Sequence, residues 1–173
     1  MLLLVASSEA SEALPECDLT ESHLPCQINI TSRWRIENDI QLDYVDISCY
    51  TRQHWPLDGT CMNIDPGVTV VWNHVMLYGE NVEQCISMSR NSTLIADGLT
   101  AVKCGKNSNY EGGFVRGFYS KVSLLNSEIH NSQSEKGGAI CMYGGTLVID
   151  KTDIVASSAK DRARRCYLFV HEI

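Results

Sequence analysis

The sequence predicts an all-β fold: a right-handed parallel β-helix, or solenoid, of about five coils with an N-terminal cap. Three observations predict it. The runs Glu111-Gly112-Gly113-Phe114-Val115 and Lys136-Gly137-Gly138-Ala139-Ile140 are near-copies spaced 25 residues apart. The apolar residues around them recur in columns. A column of turn-forming residues falls between the apolar ones. Self-similarity at a fixed period marks repeat architectures. The rival arrangement of short strands, an antiparallel sandwich, has no reason to keep such columns in phase.

The columns define the elements of each coil. Cys61, Cys85, Val115 and Ile140 form the first, and Ile64, Met88, Phe118 and Tyr143 the second. Val68, Ser92, Val122 and Leu147 form the third, and Val70, Leu94, Leu124 and Ile149 the fourth. Val75, Leu99, Ile129 and Ile154 form the fifth; Leu77, Ala101, Asn131 and Ala156 close the unit. The steps from Cys61 to Cys85, Val115 and Ile140 are 24, 30 and 25 residues. Column positions two apart imply short strands with alternate side chains inward. Such a unit cannot bury its apolar face alone, but stacked units can. The polar column Asn73, Asp97, Ser127 and Thr152 marks a bend, since short polar side chains bond nearby backbone groups. A looser first coil places Trp34 on Ile64, Ile40 on Val70, Asp43 on Asn73, Val45 on Val75 and Ile47 on Leu77.

Gly137-Gly138-Ala139-Ile140, then Gly145-Thr146-Leu147-Val148-Ile149, then Ile154-Val155-Ala156-Ser157-Ser158-Ala159, resembles the chlamydial-type polymorphic outer-membrane protein repeat. The earlier copy reads Gly112-Gly113-Phe114-Val115. The wider resemblance, over roughly residues 61 to 160, is to the pectate-lyase-like superfamily. It implies a right-handed β-helix. The repeat family's surface-exposed adhesins imply adhesion or binding; the wider superfamily's polysaccharide-cleaving members imply an enzyme as the alternative.

The chain divides into an N-terminal segment (1–27), a repeat domain (28–160) and an irregular tail (161–173). The start, Met1-Leu2-Leu3-Leu4-Val5-Ala6, reads either as a clipped signal peptide or as an unstructured terminus, because its apolar run is short and lacks a basic lead. In the tail, Arg162-Ala163-Arg164-Arg165 reads as a solvated linker or a processing site. The net charge of −7 argues against a nucleic-acid partner. No apolar run approaches the ~18 residues of a membrane span, and no motif calls for a cofactor or a metal.

Eight cysteines without a CxxC pair suit disulfides in a secreted or cell-surface chain. Cys17 and Cys26 can close a small capping loop. Cys61 and Cys85, neighbours in one column, are either bonded or buried thiols. A Cys49–Cys104 bridge is a further alternative. The sequons Asn29-Ile30-Thr31 and Asn91-Ser92-Thr93 make Asn29 and Asn91 candidate glycosylation sites.

Two insertions leave the same corner of the repeat, after Ile47 and after Ala101, and insertions of this kind often bind. The first carries Cys49, Tyr50, Arg52, His54, Trp55 and Asp58; the second carries Lys103, Cys104, Lys106, Asn107, Asn109 and Tyr110. Tyr50, Trp55 and Tyr110 are candidate amphipathic anchors, with Arg52 and His54 as polar handles; the alternative is that they pack over the solenoid. Catalysis in such a fold needs paired carboxylates or a calcium-bound acid with a basic partner. The column His74, Gly98, Glu128, Asp153 would stack Glu128 on Asp153, but no Arg or Lys joins it. The expected function is a non-catalytic extracellular or cell-surface module binding glycans or surface proteins, able to self-associate through an open solenoid end. The alternative is a degenerate polysaccharide lyase or glycoside hydrolase.

Overall fold

A computed structural model describes residues 26–50, 59–80, 82–105, 111–136 and 138–161. The expectations for the cap around Cys17 and for the tail lie outside these residues. Within them the fold is all-β, without a helix, and its strands stack as a parallel β-solenoid.

Three faces recur along the chain. The first face orders β1 (Cys26–Ile30), β4 (Val45–Tyr50), β7 (Met76–Glu80), β10 (Thr100–Val102), β12 (Glu128–His130) and β15 (Asp153–Val155) into one sheet. The second face begins with β2 (Trp34–Ile36), β5 (Thr60–Ile64) and β8 (Gln84–Met88). The third holds β3 (Ile40–Asp43), β6 (Thr69–Asn73) and β9 (Thr93–Asp97). The long strands β11 (Val115–Leu125) and β14 (Ile140–Asp150) run through both of these faces and join them into one sheet. A short sheet, β13 (Gln133–Lys136) with β16 (Ser158–Asp161), lines the return to the second face.

The expected register holds over two steps, holds over the first step except on the second face, and slips over the remaining one. Ile64 lies on Met88, Val70 on Leu94 and Leu77 on Ala101, the 24-residue step. Val115 lies on Ile140, Val122 on Leu147 and Ile129 on Ile154, the 25-residue step. Between these pairs of coils the expected 30-residue step is wrong. Ile86, not Cys85, lies beside Val115, and Leu94, not Ser92, beside Val122. His74 and Gly98 likewise do not share the column of Glu128 and Asp153. In the first coil, Ile40 meets Val70 and Asp43 meets Asn73 as expected, but Trp34 meets Met62 rather than Ile64. The physical reason is the corner between the second and third faces. Met88 to Leu94 takes six residues, whereas Gly117 to Val122 takes five, so β11 turns that corner without leaving the ladder.

Corners are built by single residues in the left-handed backbone region. Tyr44, His74, Gly98, Asn126 and Lys151 all have positive φ and mark the corner between the third and first faces. Gly67, Asn91, Tyr119 and Gly144 mark the corner between the second and third faces. For an L-residue this conformation costs roughly 1–2 kcal/mol. The exposed corner side chains recover part of it by stacking: the rings of Tyr44 and His74 lie 4.8 Å apart and nearly parallel, and Arg90 sits 5.0 Å over Tyr119. Hydroxyls of the next coil bind the bends. The Leu99 N–H donates to Ser127 Oγ at 3.1 Å and the Ser127 N–H to Thr152 Oγ1 at 3.3 Å, although Asp97 of the expected polar column lies beside Leu125 rather than Ser127.

The interior is mainly apolar. Ile47, Leu77, Ala101 and Ile129 are fully buried beneath the first face. Leu42, Trp72, Ala96 and Leu124 stack in one column, the small alanine lying beside the large indole. The solenoid makes about four turns rather than about five. On its last described pass, Ile154 and Val155 of β15 are 41% and 48% exposed.

Candidate functional site

On the first face, alternation turns Ile47, Leu77 and Ala101 inward and the residues beside them outward. One outward row reads Asn29, Ser48, Tyr78, Val102, His130 and Val155, each hydrogen-bonded strand beside the next. Tyr50 lies across from Glu80. Ser48, Tyr50, Tyr78, Gly79, Glu80 and Lys103 together line a shallow groove of about 280 Å³. Tyr50 and Tyr78 are 40% and 41% exposed. Neither Glu80 nor Lys103 forms a salt bridge among the described residues. The groove therefore offers two phenol rings, a carboxylate and an ammonium to an outside partner, above a Ser48 that is itself buried.

Two disulfides build its edge. Cys49, at the end of β4, bonds Cys61, at the start of β5, with Cα atoms 5.9 Å apart. Cys85 of β8 bonds Cys104, just beyond β10, with Cα atoms 5.4 Å apart. These pairings correct both expected alternatives, Cys61–Cys85 and Cys49–Cys104. In-register parallel neighbours hold their side chains side by side, whereas the corner brings the end of a first-face strand against the start of a second-face strand. Cys26 and Cys141 are also disulfide-bonded, and no described cysteine is free. The groove floor depends on these bonds. A Cβ at Gly79 would lie 2.5 Å from Cys85 Sγ and 2.9 Å from Cys104 Cα.

Of the expected anchors, the structure places Tyr50 in the groove. Arg52, His54, Trp55 and Tyr110 lie outside the described residues, but both insertions that carry them depart here. The Cys49–Cys61 bond ties the ends of the first, and Cys104 follows Lys103 at the root of the second. Sequence reasoning missed Tyr78, Glu80 and Ser48. The signal was present in strand parity for Ser48 and Tyr78, which flank the buried column residues Ile47 and Leu77; Glu80 follows Gly79, which no column contains.

The carboxylate pair is found as expected. Glu128 lies in register with Asp153, and His130 Nε2 is 2.9 Å from Glu128 Oε2. All three stand on the exposed outer face, and the Glu128 side chain is 59% exposed. A further cluster on the second face pairs its charges but leaves the buried Arg116 Nε without a hydrogen-bond partner. Arg116 lies 4.5 Å over Phe118, pairs with Glu111 at 3.6 Å, and leaves Glu111 to accept the Tyr143 hydroxyl. Among the described residues no cluster of His, Cys, Asp or Glu is arranged to hold a metal ion, and no helix is long and apolar enough to cross a membrane. Asn29 and Asn91 are both exposed.

No family model, curated protein or solved structure matches this chain.

Proposed function

We propose that this chain is a non-catalytic binding module of the extracellular space or a cell surface, recognising glycans or surface proteins through the first-face groove. This reading carries forward the resemblance to polymorphic outer-membrane protein repeats. The observation that carries it is the meeting of Tyr50, Tyr78, Glu80 and Lys103 at the corner from which both long insertions leave. Phenol rings stack on sugar faces or fill protein pockets while their hydroxyls stay wet, and the charges are free for polar contacts. The disulfides support folding in an oxidising compartment, where such bonds persist.

A second reading, a degenerate polysaccharide lyase or glycoside hydrolase, draws on the in-register Glu128–Asp153 pair and its His130 neighbour. The two readings separate on an array of glycans, polysaccharides and surface proteins, with product release assayed in the same wells. Binding without release is expected. Release of unsaturated or reducing ends would replace the module with an enzyme acting at Glu128 and Asp153.

A further inference from the structure

We infer that Asn29 carries an N-linked glycan that stands beside the binding groove and screens it, so that glycosylation at this position sets the groove's access. The inference rests on the extracellular reading above. Asn29 belongs to the sequon Asn29-Ile30-Thr31 and is exposed on β1, between the buried residues Ile28 and Ile30. Its outward direction is therefore fixed by the strand. Its register partner is Ser48, a groove-lining residue, and the next residue in that row is Tyr78. With neighbouring strands ~4.8 Å apart, Asn29 stands one strand from the groove's near wall and two from Tyr78. A branched N-linked core is bulky and solvated and covers that distance. β1 is the terminal strand of this sheet, so no further described strand crowds the glycan away.

The other sequon supplies the control. Asn91 is exposed at a left-handed corner between β8 and β9, with φ of 61°. That corner joins the second and third faces and contributes nothing to the groove. A glycan there would leave the groove open.

The test uses the full chain secreted from a eukaryotic cell. Peptide-N-glycosidase release in heavy-oxygen water maps the occupied asparagines, and hydroxyl-radical footprinting reads the oxidation rates of Tyr50 and Tyr78. The expected result is a heavy-oxygen label at Asn29. Tyr78 oxidation should be several-fold faster after enzymatic trimming of the glycan and in Asn29→Gln, with no change in Asn91→Gln. Trimming acts on already folded protein, so the readout survives if a variant folds poorly. A bare Asn29 beside a glycosylated Asn91 overturns the proposal and leaves the extracellular reading standing, as does an unchanged Tyr78 rate on trimming. Two bare asparagines together with thiols in place of disulfides overturn both.

Discussion

At the scale of single residues, the groove depends on what Gly79 lacks. Its missing Cβ leaves room for the Cys85–Cys104 bond directly beneath the Tyr50–Tyr78 surface. Gly79→Ala forces the disulfide and the backbone of Cys104 to shift. Overpacking of this kind costs roughly 1–3 kcal/mol, and urea unfolding under non-reducing conditions should show the loss. Leu124 is fully buried beside Ala96, in the column that contains Trp72. Leu124→Asp places a carboxylate in that dry interior, so near-ultraviolet circular dichroism should lose its cooperative transition; a retained sharp transition would contradict the column assignment. Some of this was legible in the sequence. Leu77 identified itself by its column, and parity then makes Tyr78 an outward residue. Gly79 was silent, because a glycine required by a neighbouring disulfide resembles any other glycine until the cysteines are paired. Three of the left-handed corner residues were equally silent, since Tyr44, His74 and Tyr119 carry none of the usual turn chemistry.

At the scale of elements, the expected repeat was sound wherever two coils have corners of equal length. The 24- and 25-residue steps are of this kind. The middle step failed because one corner lost a residue and a long insertion moved the count, and apolar residues at alternate positions fit a slip of two as well as the true register. Disulfide pairing was also hidden. It depends on where a strand of one face ends against the start of the next, which column position does not reveal. The two bonds close 12- and 19-residue segments, each contributing about 3 kcal/mol by restricting the unfolded chain. Replacing Cys85 and Cys104 together by serine should lower the unfolding free energy by about that amount. The Cys49–Cys61 double serine variant should do the same and, in addition, lower affinity for any ligand of the groove, because it releases the ends of the insertion carrying Arg52, His54 and Trp55. Equal affinity in that variant would detach the insertion from binding.

At the scale of the whole molecule, a stack of parallel strands has two ends. The last described pass leaves Ile154 and Val155 exposed on β15, the terminal strand of the first-face sheet among the described residues. Exposed apolar edges of this kind template further pairing. Concentration-dependent association is the expected outcome in sedimentation, reduced by charged replacements at Ile154 and Val155; a monomer at every concentration would contradict it. The proposed recognition runs along the outer first face, with the groove at one margin and the exposed Glu128–Asp153 pair further along the same sheet. The most direct test compares Tyr78→Ala with Glu128→Gln on the strongest array hit, by calorimetric titration with product release followed in parallel. Tyr78→Ala should weaken binding by on the order of tenfold or more, as loss of an aromatic anchor does, while Glu128→Gln binds as the parent chain and nothing is released. Unchanged affinity in Tyr78→Ala, or product release that Glu128→Gln abolishes, would contradict the account.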